Sequence, residues 1–206
     1  MMTLPKFTDP DPGMDELRAE AQRLHDQADK MLDRTGLLNM LAKYGEILPV
    51  SGSYAYGLMV YPDIDLGILL NKVTKDSFSE LVKETVLSKW VRKVSTADAV
   101  NFESVHTGRP KGYWLGLEIP FEGDRWGVDC WVQQKDWAPT TPDPYIGSLQ
   151  RLGPMQKEAI LSIKYELIRQ ETYGKKYFSN DVYDSVLNDN VLSAEEFLKS
   201  KSEKLS

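Results

Sequence analysis

Cysteine and histidine are scarce in this chain. There is one cysteine, Cys130, and there are two histidines, His25 and His106, in 206 residues. A lone cysteine excludes an intramolecular disulfide, which makes a reducing, cytoplasmic setting the expected one. Two histidines so far apart, with nothing nearby to complete a ligand set, exclude a zinc site of the usual spacing. No apolar run is long enough to cross a membrane, and the polar, Pro- and Asp-rich first dozen residues do not read as a secretory signal. Positive charge is in the minority too: 25 Lys and Arg against 31 Asp and Glu leave a formal net charge of −6. Proteins that grip a nucleic-acid backbone carry a basic face or stripe. The nearest candidates are two short stretches, Lys89 to Lys93 and Lys175-Lys176. The balance argues against a nucleic-acid partner and toward a small molecule or a protein.

What is present is the composition of a globular protein, 41% hydrophobic and 27% charged, with enough chain to bury a core as one domain or one domain with a helical annex. The informative stretch runs from Pro49 to Leu70. It reads as a strand, a Gly52-Ser53 turn, a short helical segment, a break at Pro62 and a second strand that begins with two carboxylates. In that second strand Ile64, Leu66, Ile68 and Leu70 share one face, the period of a half-buried strand. Asp63 and Asp65 therefore share the other, about 6.5–7 Å apart at Cα. Two neighbouring carboxylates repel, and a divalent cation relieves the repulsion. All-oxygen ligation suits Mg²⁺ or Mn²⁺. Gly52 lets backbone N–H groups approach a phosphate, and the helix start after it favours negative charge.

Tyr113 to Phe121 and Arg125 to Gln133 read as a hairpin. With Gly123-Asp124 at the centre of the turn, Phe121 pairs with Trp126, Ile119 with Val128, Leu117 with Cys130 and Leu115 with Val132. Those residues form one apolar face. The other carries Glu118 opposite Asp129 and Gly116 opposite Trp131. Asp129 is then a carboxylate in mid-strand on the side away from the core, where strand propensity disfavours it and a reason is needed. Glu118 is the alternative acid on the same face. Cys130, on the core face, is read as a small buried hydrophobe.

Gly52-Ser53, a nine-residue spacer and Asp63-Ile64-Asp65-Leu66 together resemble the signature of the nucleotidyltransferase superfamily typified by DNA polymerase β, over roughly residues 46–132. The resemblance implies an α+β fold: a small, mixed, twisted β-sheet with helices packed on one face. It implies two Mg²⁺ or Mn²⁺ ions held by Asp63, Asp65 and a third carboxylate, Asp129, which would also help take the acceptor's proton. Gly52 and Ser53 would hold the donor's phosphates. The implied activity is transfer of NMP, most simply AMP from ATP, to a hydroxyl of a small molecule or a protein. The alternative is a non-catalytic or antitoxin-like partner-binding protein on the same fold. Arg109 and Lys111, in the basic loop 107–112, and Glu118 are further candidates for phosphate or acceptor contacts.

The rest of the chain frames this core. Residues 1–12 read as an irregular lead-in, 13–135 as the nucleotidyltransferase domain with N-terminal helices, 136–153 as a Pro-rich linker and 154–206 as a helical C-terminal part. Leu17, Ala21, Leu24, Ala28 and Met31 mark a helix with a narrow apolar stripe, and His25 beside it reads as structural. A short helix over 35–44 is expected to end at Gly45, and Glu46 to Ser51 to be the first strand. Lys75 to Ser88 reads as a helix burying Phe78, Leu81, Val82 and Val86, with short strands at Trp90 to Val94 and Ala99 to Val105. Pro154 opens a long helix in which Lys164 and Tyr165 face either a cleft or solvent.

Overall fold

The computed structural model describes residues 12–102, 110–137 and 145–203. Within them the fold is α+β, and the chain groups into two compact units.

The sheet unit comprises Asp26–Tyr54 and the described part of Pro62–Asp143. Its five strands lie in the order β1-β2-β5-β4-β3. They are β1 (Glu46–Ile47), β2 (Asp63–Leu70), β3 (Lys93–Asp98), β4 (Tyr113–Phe121) and β5 (Asp124–Gln134). β2 and β5 run parallel and every other neighbouring pair is antiparallel, which makes the sheet mixed. One face is apolar because the strands alternate: Ile64, Leu66 and Ile68 of β2, Leu115, Leu117 and Ile119 of β4, and Val128, Cys130 and Val132 of β5 are all buried. At about 25 cal/mol per Å² of apolar surface, each fully buried aliphatic side chain contributes roughly 1.5–3 kcal/mol before the cost of ordering it. α4 (Lys75–Leu87) packs on this face, and its Phe78 stacks on Tyr113 with ring centroids 4.7 Å apart. The C-terminal half of α1 (Met14–Thr35) belongs to the same unit, where Gln27 donates to the Phe121 carbonyl at 3.1 Å. Gly36, at φ 62, ends α1 and starts the short α2 (Leu37–Ala42).

Several local expectations are corrected. β1 is two residues long, although Ser51 makes an isolated antiparallel bridge to Asp65. Gly45 does not cap a helix. A Cβ there would lie 2.5 Å from the Leu69 carbonyl oxygen, so glycine is what lets the chain run close beside β2. In α4 the buried residue of the last turn is Thr85, whose hydroxyl back-bonds to the Leu81 carbonyl at 2.7 Å, while Val86 is 59% exposed. β3 replaces the two short strands expected at 90–94 and 99–105, of which 103–105 lie outside the described residues, as do the lead-in through 11 and residues 138–144. The hairpin turns at Glu122-Gly123, not Gly123-Asp124. Both central residues have positive φ, 46 and 88, the type I′ geometry that matches strand twist. Phe121 therefore pairs with Asp124 and the whole register moves by two residues. A shift of two keeps every side chain on its face but changes its partner: Glu118 faces Gly127, Gly116 faces Asp129, and Trp114 faces Trp131.

The helical unit contains residues 12–25, Ala55–Tyr61 and 145–203. Its helices are the N-terminal half of α1, α5 (Ile146–Leu149), α6 (Pro154–Arg169), α7 (Ser179–Asn188) and α8 (Ala194–Glu203). α5 is a single turn inside the stretch read as linker. The core gathers Ile160, Ile163 and Leu167 of α6, Val182 and Val186 of α7, and Phe197 of α8 around Leu58 and Val60. Lys164 faces neither a cleft nor solvent. It is fully buried, and its ammonium donates to the Leu58 carbonyl at 3.2 Å and to the Tyr183 hydroxyl at 2.8 Å. Ser193 caps α8 by accepting from the Glu196 N–H at 3.2 Å. No described helix is long and apolar enough to cross a membrane.

Candidate functional site

The candidate site lies on the polar face of the sheet, where β2 runs beside β5. In this parallel pairing Asp65 is the register partner of Asp129, and Asp63 that of Gly127. Adjacent strands lie about 4.8 Å apart, so three carboxylates start from neighbouring positions on one face. Asp65 is exposed, and Asp63 and Asp129 are half-buried. The burial of Ile64, Val128 and Cys130 on the opposite face fixes this orientation.

Two glycines decide where the carboxylates rest. Gly52 opens α3 (Gly52–Tyr56) at φ 71, in the left-handed region that favours glycine. A Cβ there would be 2.3 Å from Asp65 Oδ2, so the Asp65 carboxylate lies against the Gly52 backbone. The Ser51–Asp65 bridge holds the two segments together. At Gly127 a Cβ would be 2.5 Å from Asp63 Oδ1, so the Asp63 carboxylate lies over β5, whose Gly127 N–H donates to the Pro62 carbonyl at 2.9 Å. Gly52-Ser53, Asp63, Asp65 and Asp129 are thereby collected from three separate segments of the chain.

The other expected contacts fall elsewhere. Glu118 shares the polar face, but its carboxylate accepts from Arg92 Nη1 at 2.7 Å and its strand partner is Gly127. Lys111 sits at the Val132–Gln133 end of β5, about 10–13 Å along the strand from Asp129. Its ammonium lies 4.6 Å from the centre of the Trp137 ring, and its carbonyl accepts from Gln133 Nε2 at 3.1 Å. Arg109 lies outside the described residues.

Three features escaped the sequence reading. Gly127 accommodates Asp63. The Trp114 indole lies over Gly116, with Cη2 2.4 Å from where a Cβ would stand, and since Gly116 is the partner of Asp129, an aromatic ring borders the acids. Tyr54, next to Ser53, donates its hydroxyl to Asp29, and burial followed by that carboxylate pushes the phenol up to about 12. A glycine alternating with acids along a strand was the available signal for the first of these. On the core face, burial and then the Asp129 charge push the Cys130 thiol up to about 12, which makes it inert as a nucleophile.

The donor set is all carboxylate oxygen, the chemistry of a hard divalent cation, and the two glycines leave room for the acids that a Cβ would take. Among the described residues, however, no three His, Cys, Asp or Glu side chains are already drawn together to hold a metal ion. The Asp63 carboxylate rests against β5 and the Asp65 carboxylate against the Gly52 turn. No protein-family model matches the chain, and no curated protein matches it.

Proposed function

We propose that this chain is a divalent-metal-dependent nucleotidyltransferase, moving NMP from an NTP, ATP in the simplest case, to a hydroxyl of a small molecule or a protein. The observation that carries the reading is the register of Asp65 with Asp129 beside the Gly52 turn, since a phosphate-approaching turn and facing carboxylates serve few other chemistries together. Asp63, Asp65 and Asp129 would hold Mg²⁺ or Mn²⁺, two ions in the family the motif resembles. When bound, such ions neutralise the triphosphate and stabilise the leaving pyrophosphate.

The chain's own residues supply the rest. The Gly52 backbone and the Ser53 hydroxyl orient the β and γ phosphates. The acceptor oxygen attacks the α-phosphorus, a new P–O bond forms, the bond to the bridging oxygen breaks and pyrophosphate leaves. Asp129 takes the acceptor's proton. Trp114 and Trp131 give the site an apolar border that limits water competing with the acceptor. An acidic surface favours an acceptor that is neutral or cationic over a nucleic acid.

A second reading, a partner-binding protein without turnover, is favoured by the divergence of the Asp63 and Asp65 carboxylates. Calorimetric titration of wild type and Asp63→Asn with ATP at millimolar Mg²⁺ separates the two. The transferase reading expects Mg²⁺-dependent binding that the variant loses, and absence of Mg·NTP binding in wild type refutes it.

A further inference from the structure

The helical unit contains a cavity of ≈ 320 Å³ that the acids of the sheet do not explain. Its walls are the N-terminal half of α1 and the first turns of α6. Arg18, Ala21, Gln22 and His25 recur at the spacing of one helix face, as do Pro154, Lys157, Glu158 and Leu161 on the other helix. The floor is apolar: Ala21, Leu152 and Leu161 are all less than 10% exposed. Gly57 and Gln22 stand at the exposed rim. The volume lies at the small end of ligand pockets, about 300–1,000 Å³, and suits a single ring or a short chain.

The charges around the mouth are lopsided. Glu158, the one carboxylate on the wall among the described residues, is already engaged by the Arg18 guanidinium. Lys157 is exposed and makes no ion pair among the described residues. It also stands one turn into α6, where the helix dipole presents its positive end and disfavours a cation. α6 has no acidic residue in its first turn to offset this. Instead Gln156, a neutral side chain, accepts from the Gly153 N–H at 3.2 Å. Helix stability alone would place an acid near that end. A lysine there, at the mouth of an apolar cavity, fits a negatively charged occupant.

We infer that this cavity binds a small organic anion, a carboxylate or phosphate monoester on an apolar body of about one ring, with the ring on the Ala21–Leu161 floor and the charge at Lys157. The site lies wholly within the helical unit, and its occupancy does not depend on the transferase reading.

The test is calorimetric titration of the full chain with four probes of similar size: benzoate, phenyl phosphate, benzyl alcohol and benzylamine. At least one of the two anions is expected to bind, and the neutral and cationic probes to bind at least about tenfold more weakly. Lys157→Glu, an exposed change that the helix dipole favours, should keep the thermal midpoint and weaken anion binding at least about tenfold. Three results overturn the inference: no binding of either anion at millimolar concentration, equal binding of benzylamine, or undiminished anion binding by Lys157→Glu.

Discussion

Asp65 and Asp129 stand opposite each other across the parallel pairing of β2 with β5, two acids at directly neighbouring backbone positions. Like charges placed so cost stability unless something is held between them. Asp65→Asn removes one of the two charges. Wild type should gain stability on adding Mg²⁺, because a ligand that binds only the folded state stabilises it, and the variant should gain less. Differential scanning fluorimetry with and without Mg²⁺ reads both effects, and an equal Mg²⁺ response would contradict the assignment.

Gly52 and Gly127 make a contrasting pair. An alanine at 52 must adopt a left-handed backbone, at about 1–2 kcal/mol, and must also displace the Asp65 carboxylate. Gly127→Ala meets only the mobile end of the Asp63 side chain, with its nearest backbone atom, the Pro62 oxygen, at 3.8 Å. Gly52→Ala should lower both the urea midpoint and activity, whereas Gly127→Ala should lower activity with little change in the midpoint.

The faces of the sheet were legible in the sequence, and the pairings were not. Alternation of apolar residues fixed which side of β2, β4 and β5 is buried, and so placed Asp63, Asp65 and Asp129 on one face. The turn was harder. Gly123 invites a type II′ assignment as the first central residue, but here it is the second, and Glu122 accepts φ 46. The resulting shift of two residues moved Glu118 away from Asp129 and put Gly116 there, a change that alternation cannot detect. The apolar pattern also offered Val86 for the core of α4, where Thr85 is buried instead, its hydroxyl satisfied by back-bonding within its own helix. Burial of Lys164 went unseen because its partners, Leu58 and Tyr183, are distant in sequence.

Cys130 predicts an alkaline weakness. Its thiol pKa is raised to about 12 in the folded chain against about 8.5 when unfolded. A raised folded value means the folded chain holds the proton more tightly. That contribution is complete below about pH 8.5 and is lost as pH rises toward 12. Tyr44 and Tyr54, also raised to about 12, act in the same direction above about pH 10. Cys130→Ala should flatten the fall in stability between about pH 8.5 and 10, measured by urea unfolding. The native thiol should resist alkylation at pH 8 and react once the chain is unfolded.

Lys164→Met keeps the volume but leaves the Leu58 carbonyl and the Tyr183 hydroxyl without the ammonium. Unpaired buried polar groups cost about 1–3 kcal/mol, so the urea midpoint should fall by a corresponding amount. Tyr183→Phe leaves a buried ammonium short of an acceptor and should cost as much or more. A Lys164→Met variant as stable as wild type would show that these hydrogen bonds contribute nothing net.

Label transfer tests the chemistry at the Asp65–Asp129 pair. Wild type and Asp129→Asn should each be incubated with Mg²⁺, host lysate and ATP labelled on the α-phosphate, with γ-labelled ATP as the parallel control. The account predicts α-label, above that of a lysate-only control, entering an acceptor in the small-molecule or protein fraction with wild type while the γ-label departs in pyrophosphate, and transfer slower by about 10²–10⁴ with Asp129→Asn. Transfer of α-label that Asp129→Asn leaves undiminished, or no transfer from any NTP by wild type, would contradict it.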